Sequence, residues 1–510
     1  MQREAGLELE LRGCSKQFPG VLACDNVNFT VAGGEIVALL GENGAGKTTL
    51  MNILYGLYTP TSGMVLVDGV PLKMDSPADA IAAGIGMVHQ HFMLVPVFTV
   101  SENVMLGVEP VGRAGWLKQA EAADVVREIS GRYNLEVDPD AMVEDLPVGV
   151  QQRVEIIKVL EREARFVVFD EPTSVLTPRE VEGFFDIVRG LKEDGKGIVF
   201  ISHKLGEALE IADRIVIMRA GRTVAEVLPG EVSEEQLAEL MVGRPVDLVV
   251  HKEVAKPEGV VLSVDDLVVF DDRDQRAVDG VSFEVRAGEI VGVAGVQGNG
   301  QTQLVEAITG LRQATTGSVS IGGTDVTGDT PRQVHKREVA HVPEDRQRSG
   351  LVLPFTVTEN TVLDSYYAPP ISRGVQMDWG AARERAERLV EEYDVRTPGI
   401  DALVSTLSGG NQQKVIVARE FERDITLVIA SQPTRGIDVG SIEYIHARIV
   451  EKRDAGAAVL IVSSELDEVV GLSDRVIVMF DGKIAGEFDP AVATTTEIGL
   501  AMLGSEAEAS

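Results

Sequence analysis

Short runs of β-branched and aliphatic residues alternate with stretches of helical periodicity along the whole chain. The run Glu35–Leu40 is apolar and bounded by glycines, and Leu50–Leu54 follows with helical spacing. Phe166–Phe169, Gly197–Ile201 and Arg214–Met218 read as short buried strands, and Arg179–Lys192 as a helix between two of them. Strands alternating with helices predict an α/β core around a largely parallel sheet. From Ser101 to Leu160 the pattern is mostly helical, which predicts an inserted helical subdomain. No apolar run approaches the ~20 residues a membrane helix needs, and no signal peptide is recognisable at the N-terminus.

The pattern is written twice. Gly41-Glu-Asn-Gly44-Ala-Gly46 returns as Gly295-Val-Gln-Gly298-Asn-Gly300, and Val88-His89-Gln90 as Val342-Pro343-Glu344. Further on, Leu146-Pro-Val-Gly149 returns as Leu407-Ser-Gly-Gly410, Glu171-Pro-Thr as Gln432-Pro-Thr, and Ala212-Asp213-Arg214 as Ser473-Asp474-Arg475. The second copy carries a few extra residues between Glu344 and Leu407. Repeats of this length are duplicated domains rather than solenoid units. We therefore expect domains at 5–245 and 260–504, a polar extended connector at 246–259, and a frayed tail at Ser505–Ser510.

With 510 residues the chain is too long for one ordinary core, in keeping with two domains. A net charge of −33 and the lack of any Lys/Arg-rich run disfavour nucleic acid as a partner. The two cysteines, Cys14 and Cys24, are expected as buried, reduced thiols.

Chemistry enters at Gly41-Glu42-Asn43-Gly44-Ala45-Gly46-Lys47-Thr48-Thr49. A strand, a glycine loop and a helix in this order form a P-loop, whose backbone N–H groups cradle phosphate oxygens. Lys47 supplies a charge to the β- and γ-phosphates, and the Thr48 hydroxyl can reach a bound magnesium. Phe166–Phe169 ends in Asp170-Glu171, two acids at the strand end where α/β sheets bind ligands. Asp170 is the candidate to hold magnesium through its water shell, and Glu171 to orient and activate water. His203, after the strand ending at Ile201, can donate a hydrogen bond to a γ-phosphate. Gln90 is a candidate for magnesium and water, and Phe18 for stacking on adenine. For those two the residues alone leave a structural role equally open.

Together, the Walker A stretch Gly41–Thr49, Gln90, the Walker B stretch Phe166–Glu171, His203 and the tract Leu407-Ser408-Gly409-Gly410-Asn411-Gln412-Gln413 resemble an ATP-binding-cassette ATPase. The resemblance covers nearly all of the chain and implies two tandem P-loop NTPase domains using ATP and Mg2+. Two fused cassettes without a membrane segment resemble the energising subunit of importers for simple sugars and nucleosides. The tract Val88–Gly107 is similar to the nucleoside-importing branch. The implied partners are two integral membrane permeases and, indirectly, an extracytoplasmic solute-binding protein, with the chain at the cytoplasmic face of the membrane. A second copy of the chain per transporter stays open. The rival reading is a soluble twin-cassette ATPase acting on ribosomes or nucleic acid.

The family's head-to-tail arrangement implies two composite sites, which are unequal here. The first combines Lys47, Thr48, Gln90, Asp170, Glu171 and His203 with Ser408, Gly409 and Gly410 of the other half, and Asp438 at the D-loop position. The second has Gln301 for the lysine, Glu344 for the glutamine, Ser431 and Gln432 for the acids, and Ser464 for the histidine. Facing it are Pro147 at the signature serine and Thr177 at the D-loop aspartate. The expectation is one hydrolytic site and one degenerate site; whether the latter holds a nucleotide is left open.

Overall fold

A computed structural model describes residues 7–504, apart from 90–91, 111–117, 174–175, 177, 248–249 and 375. Gln90, Thr177 and the tail 505–510 thus lie outside the described residues. The chain divides into two compact units, Met1–Val246 and Asp247–Ser510. No helix among the described residues is long and apolar enough to cross a membrane.

The first unit runs β1 (Glu8–Phe18), β2 (Val21–Ala32), β3 (Ile36–Leu40), α1 (Lys47–Leu54), β4 (Ser62–Val67), β5 (Val70–Leu72), α2 (Pro77–Ala82) and β6 (Ile85–Val88). A helical stretch follows: α3 (Val100–Met105), α4 (Gln119–Arg132) and α5 (Val148–Glu161). The unit closes with β7 (Phe166–Asp170), α6 (Pro178–Glu193), β8 (Gly197–Ile201), α7 (Leu205–Ile211), β9 (Arg214–Arg219), β10 (Arg222–Val227) and α8 (Glu234–Val242).

Its main sheet has the order β10-β9-β3-β8-β7-β6, parallel throughout except for the β9–β10 edge. Both faces are covered, which is why β3, β7 and β8 are continuous apolar runs. Phe166 and Val168 join a core with α1 and the strands β1, β2 and β4, while Val167 and Phe169 join one with α3–α6. The strands β2-β1-β4-β5 form a second, antiparallel sheet, which the sequence pattern does not announce. Cys14 and Cys24 are buried and free within the first of these cores. Burial pushes the Cys24 thiol up to about 11, so it stays protonated and unreactive.

The second unit repeats the plan. It runs β11 (Val260–Phe270), β12 (Arg276–Arg286), β13 (Ile290–Ala294), α9 (Gln301–Ile308), β14 (Thr316–Ile321), β15 (Thr324–Asp325), α10 (Pro331–His335) and β16 (Val339–Val342). One π turn, Arg346–Gly350, leads to α11 (Val357–Thr361), the ribbon β17 (Ser372–Arg373) and β18 (Gln376–Met377), α12 (Trp379–Glu392) and α13 (Gly409–Phe421). Then come β19 (Leu427–Ser431), α14 (Val439–Asp454), β20 (Ala458–Ser463), α15 (Leu466–Leu472), β21 (Arg475–Phe480), β22 (Lys483–Phe488) and α16 (Thr495–Met502). Its main sheet, β16-β19-β20-β13-β21-β22, and its antiparallel sheet, β12-β11-β14-β15, match those of the first unit strand for strand.

The connector is fastened to this second unit. Lys252 Nζ donates to the Leu472 and Ser473 carbonyls at the end of α15, 2.8 and 2.5 Å away, and pairs with Asp474 at 3.2 Å. Buried Arg453 bridges Asp474, at 3.0 Å, and the Glu253 carbonyl, at 3.0 Å. A polar, extended segment is ordered here by charge pairing over a long sequence distance, which composition alone does not reveal.

Candidate functional site

The phosphate loop of the first unit is set by sterics. Gly46 sits at φ +103°, and a Cβ there would lie 2.4 Å from the Ala23 carbonyl oxygen. A Cβ at Gly41 would lie equally close to the Met218 carbonyl oxygen. Only glycine lets the turn pass this near to neighbouring backbone. Glu42, Asn43, Gly44 and Ala45 complete the turn, with the Ala45 N–H donating to the Glu42 carbonyl at 3.0 Å. Helix α1 starts at Lys47 itself, so Thr48 and Thr49 lie on its first turn, with Thr48 exposed.

Lys47 is only 7 % exposed, and its ammonium folds over the loop to donate to the Gly41 carbonyl at 2.5 Å and the Glu42 carbonyl at 3.1 Å. Burial lowers its pKa, and the nearby carboxylates of Glu171, Asp170 and Glu42 oppose that. The ammonium is thus a desolvated donor held at the loop by backbone carbonyls, able to turn to phosphate oxygens instead.

Across from it, β7 delivers Asp170 and Glu171. Glu171 takes the left-handed backbone, φ +48°, with its N–H donating to the Ile201 carbonyl at 3.0 Å. That turn aims the carboxylate at His203, whose Nδ1 is 3.4 Å from Glu171 Oε1. Burial pushes Asp170 up to about 6, reinforced by the Glu171 charge and opposed by Lys47. Burial also acts to raise Glu171, but the His203 hydrogen bond, the His203 charge and Lys47 outweigh it and hold the carboxyl below its ordinary value. Glu171 is therefore an ionised carboxylate, while Asp170 is a buried carboxyl that a cation would stabilise.

Among the described residues, no cluster of three or more His, Cys, Asp or Glu could hold a metal ion. Thr48 and Asp170 fit the other arrangement, in which magnesium takes one or two protein oxygens and completes its shell with phosphates and water.

One support of this site carries no motif. Glu207 accepts from Thr173 at 2.5 Å and from Ser202 at 3.1 Å, tying the segment after β7 to the segment carrying His203. Phe18, at the end of β1, meets Tyr58 edge-on at 5.4 Å, and Lys16 Nζ lies 5.4 and 5.6 Å from the two rings. Tyr58 and Lys16 thus form one aromatic and cationic cluster with Phe18.

In the second unit the backbone is kept and the groups are changed. Gly300 sits at φ +97°, but Gln301 replaces the lysine and donates to the Val296 carbonyl, at 3.3 Å. Gln432 keeps φ +48° and is bound by Ser464 at 3.2 Å, an uncharged counterpart of the Glu171–His203 pair. Ser431 is buried where Asp170 would stand. Glu344 accepts from the Thr302 hydroxyl at 2.9 Å and from Arg435 at 2.9 Å. Where Tyr58 follows α1, Arg312 follows α9; it is paired with Glu306 and Asp272 and offers no ring.

The second unit also holds the signature tract. Ser408 caps α13, and its Oγ accepts from Asn411 Nδ2 at 2.8 Å. Any Cβ at Gly410 would lie 2.5 Å from Asp438 Oδ2, and Asp438 caps α14 through Ser441. In the first unit the corresponding helix α5 starts after Pro147, with no side-chain cap. Ser408, Gly409, Gly410 and Asp438 lie together within this unit.

A P-loop, two acids at the end of the adjoining strand but one and a helical insertion define a nucleotide-hydrolysing class of fold. Comparison with known proteins narrows it: the family model described as ABC transporter matches residues 24–174 and again 278–435. The nucleoside import ATP-binding protein NupA of Lactococcus lactis subsp. cremoris is 50 % identical over 97 % of this chain and 98 % of its own. The guanosine import ATP-binding protein NupO of Bacillus subtilis is 47 % identical over 98 % and 97 %. The glucose import ATP-binding protein TsgD13 of Haloferax volcanii is 44 % identical over 99 % and 96 %. A solved structure titled RNase-L Inhibitor has a TM-score of 0.62 at 20 % identity, covering 97 % of this chain and 93 % of that one, a likeness of fold alone. The chain belongs to the ABC transporter family, as an ATP-binding protein with two cassettes.

Proposed function

We propose that the chain is the ATPase subunit of a nucleoside importer, with one working hydrolytic site. The observation that carries this reading is the contrast between Lys47, Asp170, Glu171 and His203 in one unit and Gln301, Ser431, Gln432 and Ser464 at the same backbone positions in the other. ATP is held by the Gly41–Gly46 N–H groups, Lys47, Thr48 and Thr49, with its base on Phe18 and Tyr58. The signature residues Ser408, Gly409 and Gly410, with Asp438, supply further γ-phosphate ligands. Glu171 takes up the proton of the attacking water, and His203 orients Glu171 and donates toward the γ-phosphate. Thr48, Gln90 and Asp170 would hold Mg2+, which would supply neutralisation of phosphate charge.

Nucleosides are favoured as the solute by two relatives whose names specify nucleoside and guanosine import. A simple sugar is the second reading, supported by the glucose-import relative. The chain sits at the cytoplasmic face of the membrane, and its partners are two integral membrane permeases and, through them, an extracytoplasmic solute-binding protein. The test is reconstitution with the permeases encoded beside the gene: ATP-dependent uptake of labelled guanosine is expected, and Glu171→Gln is expected to abolish it. Uptake of ribose or glucose but not guanosine would replace the solute. Salt-sensitive copurification with nucleic acid and no permease would replace the whole reading.

A further inference from the structure

We propose that Arg346 is a positioning residue for ATP hydrolysis, holding the tract Ser408–Gly410 in the arrangement that receives the triphosphate. Where the tract is used rests on the two-unit reading above; what Arg346 holds does not. Arg346 opens the π turn that follows Glu344, and Asp345 caps that turn by accepting from the N–H groups of Gln347 and Arg348 at 2.9 and 3.0 Å. From there the guanidinium reaches two backbone segments at once. Its Nη1 donates to the Arg435 carbonyl at 2.7 Å and its Nη2 to the Gly436 carbonyl at 3.1 Å, on the loop leading to Asp438. The same Nη2 lies against the first turn of α13, where a Cβ at Gly409 would stand 2.7 Å from it.

A planar fork suits this place. Its two terminal nitrogens each take one of two consecutive carbonyls while the planar group lies against a glycine, a rigid spacing that a single lysine nitrogen does not supply. The arrangement is costly as mere packing, because Nε is buried without a hydrogen-bond partner among the described residues and burial works against the charge. The charge lies beside the N-terminus of α13, where it adds to the partial positive charge of the helix end and favours an anion. In the first unit, the position two residues after Gln90 is Phe92, and the matching helix begins after Pro147. The unit without the signature serine is thus also the unit without the guanidinium.

Glu344 links the same cluster to the degenerate loop. Its carboxylate joins Thr302, on α9, to Arg435, whose carbonyl Arg346 grips.

Steady-state ATPase of the full chain, with Arg346→Met, Arg346→Lys and Ser408→Ala, tests the proposal. Arg346→Met should raise KM for ATP about tenfold and lower kcat less than about threefold, with the unfolding temperature kept. Arg346→Lys, which restores a cation without the fork, should fall between, at about threefold in KM. It also serves as the test should the methionine variant fail to fold. Wild-type KM in both variants beside an impaired Ser408→Ala would overturn the role of Arg346 alone. A fall in kcat and unfolding temperature at unchanged KM would mark a purely structural arginine and overturn it too. An active Ser408→Ala would remove the two-unit reading, and the proposal with it.

Discussion

The two nucleotide loops differ in chemistry far more than in shape. Gly46 and Gly300 share a left-handed conformation, as do Glu171 and Gln432. The Glu171 and Gln432 N–H groups donate to Ile201 and Val462, equivalent carbonyls on the neighbouring strand. The supports are duplicated as well. Gln152 donates to the Pro172 carbonyl at 2.8 Å, as Gln413 does to Pro433 at 2.9 Å. Thr173 donates to Glu207 as Thr434 does to Glu468. A left-handed non-glycine residue costs ~1–2 kcal/mol, so its retention at Gln432 reflects the strand exit and not the lost carboxylate. The scaffold of such a loop rests on buried hydrogen bonds that the reaction never touches, which lets one copy shed its reacting groups and keep its fold.

The largest effect that sharpens this comparison is at Glu171. Glu171→Gln should lower phosphate release by roughly 10²–10⁴-fold, the usual cost of losing a general base. Gln432→Glu, adding a carboxylate to the matching backbone, should restore none of it in that background. Activity restored by Gln432→Glu would show that the second loop lacks only its base.

The next effect is on stability. His341, in β16, stands where the first unit has Met87, and its Nε2 is buried without a partner among the described residues. Burial lowers its pKa from 6.5 to about 4, with the Glu420 charge opposing and Arg419 adding to the shift. Below pH ~6.5 the unfolded chain takes up a proton that the folded chain refuses. Stability is therefore lost as pH falls from about 6.5 to about 4, by at most ~3 kcal/mol. Thermal unfolding of the full chain across this range should show that slope, and His341→Met should flatten it. An unchanged slope in the variant would exclude His341 as its source.

The smallest effect concerns the base platform. Phe18→Ala and Tyr58→Ala should each raise KM for ATP several-fold, since an aromatic contact is worth ~0.5–1.5 kcal/mol. Arg312→Ala, at the matching place in the second unit, should leave KM alone and lower only stability, because its ion pairs are local. A shift in KM from Arg312→Ala would mean that the second loop contributes to the measured nucleotide affinity.

Much of the fold is legible in the sequence. The run Phe166–Phe169 has both faces buried and so has no alternation to misread, and the glycines of the loop announce the strand–turn–helix around them. Periodicity placed the start of α1 at Leu50, whereas the helix begins at Lys47, because its first turn faces the phosphate loop and is polar. The antiparallel sheet stayed hidden because β1 and β2 are bulged between Leu11 and Gln17, which breaks the period of two. Tyr58, Glu207 and Arg346 were missed for another reason. Each acts through a partner distant in sequence, and none belongs to a motif whose spacing is local. The connector's attachment by Lys252 and Arg453 was missed on the same grounds.

The central claim is that one loop cuts ATP and the other does not. Phosphate release from the purified full chain, wild type against Lys47→Ala and Gln301→Ala under matched conditions, tests it most directly. The account predicts that Lys47→Ala removes nearly all activity and Gln301→Ala leaves most of it. Comparable losses from the two substitutions would contradict it.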